Sequence, residues 1–333
     1  MAINTYPTSP KPYYTVPNKE EINVQVSEAE SGPDELNFIQ RFPKHLFQLD
    51  YKVEVAANRK LVHDFYRANL RKFFWFLDFD LRSWADEYVG VAGPIEVHGA
   101  LLKDNTVYTD YTDAANNSTA GDVYLLPASP VVNQDGFLIG SKTQFDKATV
   151  TISTAGAGTW TITWKYWNGS AWASLSGVSD GTTGFTHAPG VCDVTFTIPT
   201  DWVSSEIDSV EAYWIKADLT AYTSKTVTPL ATLIMVNTKT FDLHVKTGSS
   251  VAVYADGVLL TAGGTDYTLV SGGGAAGSDR ITLAAYSTQG VLFTADFTGQ
   301  LRIKVRFSEF GWFEDSVAYQ VYAFSTSVKE IQW

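Results

Sequence analysis

Two tryptophans, Trp167 and Trp172, flank an Asn168-Gly169 turn near the middle of this chain. An indole presents a flat apolar face on which a sugar ring can stack, and an amide beside it can hydrogen-bond the ring hydroxyls. Trp167, Asn168 and Trp172 are therefore the residues whose types and spacing suit carbohydrate binding. They belong to the aromatic run WTITWKYWNGSAW, residues 160–172. The competing reading of such a run is core packing, and strand alternation separates the two. Trp160, Ile162, Trp164 and Tyr166 fall on one face and read as core, whereas Trp167 points to the other face and Trp172 lies just beyond the turn. Trp214, next to Tyr213, reads as core.

A second candidate chemistry is electrostatic. Between residues 59 and 72, Arg59, Lys60, Arg67, Arg71 and Lys72 oppose only Asp64. Such a run is most simply a solvated face. In an acidic chain it is also a complement for an acidic patch on a neighbouring subunit, which makes Arg67 and Arg71 candidate subunit-interface residues.

Catalytic chemistry is not legible. The histidines are His45, His63, His98, His187 and His244, with no metal-ligand spacing among them and none in a zinc pattern with Cys192, the single cysteine. His63 and Asp64 are adjacent on a helical stretch and do not face each other. The carboxylate pairs Asp78 with Asp80 and Glu314 with Asp315 have no apolar bracket of the kind a cleft requires. Gly272-Gly273-Gly274 could cradle a phosphate, but no Lys-Ser/Thr follows it. Cys192, flanked by Val191, Val194 and Phe196, reads as an inert packed thiol. The expectation is no enzyme, no catalytic residue, no metal site and no cofactor.

The elements that must position these residues are mostly strands. Phe47, Leu49, Tyr51, Val53 and Val55 alternate with polar residues, as a strand with one buried face does. Leu61 or Val62, Phe65 or Tyr66, Asn69 or Leu70, and Phe73 then fall on one helical stripe. Asn58 is the expected N-cap of a helix over about 58–72. Phe73–Leu77 is unbroken apolar and reads as a buried strand. Upstream, four prolines mark an extended N-terminal arm over 1–20, ordered only if something holds it. Downstream, Tyr88–His98 reads as a strand pair turned near Gly93-Pro94, and 104–121 as a polar loop. From about Pro127 charge falls while Thr, Ser, Gly and Trp rise. Strands are expected at 147–154, 159–167, 192–198 and 210–217, with the spacing of a small β-sandwich. Residues 251–260 read as a hairpin turning at Asp256-Gly257. Leu301, Ile303, Val305 and Phe307 return to clean alternation, so the C-terminal strands are expected to complete the sheet begun at the N-terminus.

The charge balance bounds the partners. With 24 basic and 36 acidic residues among 333, the net charge is −12. Such a chain is a poor general nucleic-acid binder and a poor ligand for an anionic membrane surface. The stretch MAINTYPTSPKPYYT lacks the basic region and apolar core expected of a secretory signal, and no run approaches a membrane span. The chain is expected to be made in the cytoplasm as a soluble product, with no sequence-specific nucleic-acid binding and no membrane insertion.

The strand FQLDYKVEV, the helix NRKLVHDFYRANLRK and the aromatic strand FFWFLDF, together with VAVYADGVLLTAGGTDYTL, RITLAAYSTQGVLFTADFTGQLRIKVRF and a closing SVKEIQW, resemble the distal tail proteins of long-tailed bacteriophages and gene transfer agents. The resemblance covers roughly 1–100 and 235–333. The intervening segment is similar to the carbohydrate-binding-like sandwich modules inserted in larger members. The resemblance implies a mainly β fold: a barrel or sandwich ring-forming domain with one short helix, split into 1–127 and 231–333, around an inserted β-sandwich over 128–230. It also implies a hexameric homo-oligomeric ring in the virion, between a tail tube protein and a baseplate hub protein, with a lumen that passes DNA. A host cell-surface polysaccharide is the ligand expected for the insert. Competing readings are a carbohydrate- or receptor-binding adhesin without a ring role, and a polysaccharide-degrading enzyme with an appended binding module.

Overall fold

The computed structural model describes residues 4–7, 9, 19–21, 24–27, 35–38, 44–69, 74–77, 82–119, 121–307, 313–318 and 321–330. The fold is mainly β, in several antiparallel sheets, and among the described residues no strand order closes into a barrel. A sandwich architecture is therefore what the expected fold class comes to.

The strand Val291–Phe307 is the spine of the largest sheet. Its first part lies between Arg82–Ala92 and Val245–Ala255. Its last part lies between Phe74–Leu77 and Val321–Glu330, and Val321–Glu330 pairs in turn with Lys44–Val55. The two ends of the chain thus share one sheet, as the matching alternation predicts. Phe293, Ala295, Phe297 and Leu301 are buried from the spine, joined by Val89, Ala92, Val245 and Val253 from its neighbours.

The helix runs over Ala56–Asn69, directly out of the strand Lys44–Val55. It starts two residues earlier than expected, so Asn58 lies inside the first turn and is not the N-cap. Val62 is fully buried and Phe65 packs edge-on against Tyr6 and Phe74, with ring centroids 5.4 and 5.1 Å apart. Leu61 is exposed, which resolves the ambiguity of the stripe. At the far end Asn69 is buried and its Nδ2 donates to the Phe65 carbonyl at 2.8 Å, tying the last turn. The N-terminal arm is held where it is described. Asn4–Thr5 pairs in parallel with Phe74–Trp75, the Tyr6 amide donates to the Trp75 carbonyl, and the Tyr6 ring is buried against Phe65, Phe74 and Phe76. The Asp256-Gly257 turn closes its hairpin as expected: both residues have positive φ, 47° and 80°, as a two-residue turn between twisted strands requires.

A second core belongs to a sandwich of its own. One sheet has seven strands, ordered Val107–Asp110, Gly99–Asp104, Gly136–Ser141, Val210–Val227, Ala157–Trp167 and Trp172–Ser174, with Ser205–Ile207 paired to Val210–Val227. The facing sheet has six, ordered Val123–Tyr124, Leu230–Asn237, Lys147–Thr154, Gly190–Thr195 and Ser179–Asp180, with Ile95–Glu96 paired to Leu230–Asn237. Phe137, Ile139, Trp164, Tyr166, Tyr213 and Ile215 from the first sheet meet Val150, Ile152, Cys192, Val194, Ile234 and Val236 from the second.

Strand pairing and core membership divide the chain just after Ala92 and near Thr238, rather than at 127/128 and 230/231. The fall in charge at Pro127 lies within the sandwich, whose core takes residues from both sides of it. The polar stretch 104–121 carries an edge strand, Val107–Asp110, and a short helix, Thr112–Ala115. An exposed edge has no apolar alternation to betray it. Tyr88–His98 is likewise not a hairpin. Arg82–Ala92 pairs with the spine, Ile95–Glu96 pairs with the sandwich, and the Gly93-Pro94 corner carries the chain from one to the other.

The two parts meet through polar contacts. The Gly93 amide donates to Asn237 Oδ1 at 3.0 Å, and Asn237 Nδ2 donates to the Ser287 carbonyl at 2.9 Å. Arg280 Nε donates to Asp242 Oδ1 at 2.6 Å while its Nη1 reaches the Ile198 carbonyl at 3.1 Å. The ammonium groups of Lys147 and Lys239 lie 5.1 and 5.0 Å from the centre of the Tyr286 ring.

Candidate functional site

One face of the seven-stranded sheet covers the sandwich core, and the opposite face carries the candidate site. Alternation along Ala157–Trp167 sends Trp164 and Tyr166 inward and Lys165 and Trp167 outward. Trp160 and Ile162 pack against the same inner core, as expected. Along Val210–Val227 it sends Tyr213, Ile215 and Ala217 inward and Trp214, Lys216 and Asp218 outward. The register then sets Lys165 opposite both Lys216 and Ser174, and Trp167 opposite Trp172.

Trp214 is buried, as expected, but in this outer layer rather than in the inner core. Its indole lies across two glycines of neighbouring strands. A Cβ on Gly99 would come within 2.3 Å of the ring and one on Gly140 within 2.7 Å. Its Nε1 donates to the Ser205 carbonyl at 2.9 Å, so the Ser205–Ile207 strand roofs it. With Leu101, Leu138 and Ala212 it forms a small apolar cluster, and Trp172 packs against that cluster's side.

Trp167 and Trp172 are both half-buried, neither in the core nor free in solvent. Their ring centroids are 5.7 Å apart and their planes are inclined at 65°. They make a corner rather than a level platform. Asn168 is also half-buried, and its carbonyl oxygen is already engaged. Oδ1 accepts from the Ser170 amide at 3.0 Å, the Ser170 hydroxyl at 3.0 Å and the Ala171 amide at 2.8 Å. The side chain builds the turn between the two tryptophan-bearing strands, and only its amide nitrogen is left to meet a ligand.

Beside the corner lies a group of charges that sequence reasoning passed over. Lys165 Nζ donates to Asp218 Oδ2 at 2.5 Å. The Lys216 ammonium lies against Asp218 Oδ1 without the alignment of a hydrogen bond, and it sits 6.0 Å from the centre of the Trp172 ring. Lys103 reaches the carbonyls of Asn105 and Gln134. Burial pushes its ammonium below the ordinary lysine range, and the neighbouring Lys216 pushes it further. Asp135 is fully buried and accepts the Asn105 amide at 2.6 Å and the Val131 amide at 2.5 Å. The signal for this group was present in the sequence. In a segment poor in charge, Lys165, Lys216 and Asp218 each sit at outward strand positions between core residues.

The other candidates separate cleanly. Arg67 is exposed on the last turn of the helix, and Arg71 lies outside the described residues. Part of the basic face is internally compensated, because Lys60 pairs with Asp64 one turn on. Cys192 is buried, with its thiol pushed up first by burial and then by Asp180 and Asp193, and its Sγ lies 3.2 Å from His187 Nδ1. The amides of the Gly272–Gly274 loop are engaged within this chain: Gly272 donates to Asp279 Oδ1, Gly273 to the Val270 carbonyl and Gly274 to the Ser278 carbonyl, and just beyond them Ala275 donates to Asp242 Oδ2. The donors a phosphate would need are taken. Among the described residues no group of three or more His, Cys, Asp or Glu side chains is arranged to hold a metal, and no helix is long and apolar enough to cross a membrane. No family model, no curated protein and no solved structure matches the chain.

Proposed function

We propose that this chain is a structural protein of a phage tail tip, forming a ring between tail tube and baseplate hub, with the sandwich as a peripheral module that binds host glycan. The observation that carries this reading is the shared sheet. Both chain ends pair into it through Val291–Phe307, while a sandwich with its own core is inserted between Ala92 and Thr238. That is the layout the sequence resemblance implies. A ring needs one surface of each subunit to meet a different surface of the next, and open sheet edges and an exposed Arg67 are suitable material for such a contact. The test is negative-stain electron microscopy of the purified protein, where rings with a central hole are expected. Monomers at assembly concentrations, with no tail-tube protein restoring rings, would count against the ring.

The Trp167–Trp172 corner favours a second reading, an adhesin in which glycan binding is the whole activity. Glycan binding by a protein that never forms rings would select it. Neither reading includes catalysis.

A further inference from the structure

We infer that the corner between Trp167 and Trp172 takes a single pyranose ring bearing an acidic substituent, with the acid directed at Lys165. The inference rests on the sandwich being a glycan-binding module and names the class of glycan. Two observations carry it. The first is the angle between the indoles. Coplanar tryptophans suit successive sugars of an extended chain, whereas planes inclined at 65° present two walls to one ring. A terminal or branching sugar fits such a corner better than the middle of a straight chain.

The second observation is the charge beside it. Beside the corner, Lys165 and Lys216 share one carboxylate, Asp218, in a chain whose net charge is −12. Asp218 is shared between Lys165 and Lys216 and cannot fully neutralise both. Lys216 and Asp218 are sealed, with side chains 6% and 4% exposed, while Lys165 is 23% exposed. Lys165 is therefore the cation of that trio that a ligand can reach. It stands two residues from Trp167 on the same strand face and opposite the exposed Ser174, whose hydroxyl can complete the cradle.

The acid can be a carboxylate or a phosphate, and the test separates them. The full chain would be labelled with 15N at the indoles, and the Trp167 and Trp172 signals assigned with Trp167→Phe and Trp172→Phe. Glucuronic acid, glucose 6-phosphate and glucose would then be titrated. The expected result is that at least one acidic sugar shifts both signals at about tenfold lower concentration than glucose, the size of a charge-assisted hydrogen bond. The preference should fade in about 1 M salt, where charges are screened within about 3 Å. Lys165→Gln should bring the acidic sugars to the level that glucose shows with the same variant, and Lys165→Arg should keep the preference, which guards against loss of fold. A response to one acid alone identifies the group recognised. Equal responses to glucose and both acids overturn the acidic specificity and leave glycan binding standing. No response to any of the three overturns both.

Discussion

Asp279 is fully buried and accepts hydrogen bonds on both oxygens: from Ser271 and Gly272 on one, from the amide and hydroxyl of Thr247 on the other. Burial alone pushes the carboxyl up, but the hydrogen bonds from Thr247, Gly272 and Ser271 outweigh it and hold the group below the ordinary carboxylate value. Its pKa is thus lower in the folded than in the unfolded chain. The stabilisation it provides is fully present above about pH 4, the unfolded value, and is lost as pH falls through the folded one. Asp279→Asn is expected to cost about 1–3 kcal/mol at neutral pH, through donors left without their carboxylate. It should also flatten the acid limb of the stability curve, as read by urea melts across that range. An unchanged acid limb would show that other carboxylates set it. The sequence displays the glycines of this loop but not what fills it, because Thr247 and Asp242 reach the loop from two other strands.

At the scale of elements, the helix Ala56–Asn69 is the plainest case of a sequence stating its own structure. Its period departs from that of the strand before it, and besides the start, which lies two residues earlier than expected, the open point was which of two adjacent residues pointed inward. Tertiary packing settled that for Val62 over Leu61, whereas Phe65 and Tyr66 are both half-buried against the core. Phe65→Ala removes the ring that holds Tyr6 and Phe74 together, and is expected to cost about 3 kcal/mol, the low end for phenylalanine because the side chain is only half-buried. Chemical denaturation measures it, and a loss below about 1 kcal/mol would place Phe65 among surface substitutions. The aromatic corner was half legible. Alternation placed Trp167 on the outward face and the turn put Trp172 just beyond it, but the angle between their rings and the engagement of Asn168 in its own turn depend on a hairpin geometry that residue types do not specify.

For the whole molecule, the existence of an inserted sandwich was visible in composition, and its edges were not. The boundary lies where backbone partners change, and at Ala92 and Asn237 no shift in composition accompanies that change. The connections into and out of the sandwich are neighbours, since Ile95 pairs with Val236 and the Gly93 amide meets Asn237. With separate cores and adjacent ends, residues 94–237 are expected to fold alone and to melt as one cooperative unit. Amide spectra of that fragment should overlay those of the full chain everywhere except around Asp146, Ile198 and Asn237, which lose partners across the junction. A collapsed fragment without dispersed signals would mean that the junction is part of the sandwich's own core.

The way the sandwich is tethered bears on what happens under mechanical load. Anything that grips the sandwich from outside pulls on the chain at Gly93, and the strand leading there, Arg82–Ala92, lies antiparallel along the spine from Val291 to Gly299. A tug along that strand loads its rungs together, in shear, instead of opening them one after another as in a zipper. The polar contacts at the junction are few and can yield first, letting the sandwich swing on its paired connections while the sheet built from the chain ends keeps its register.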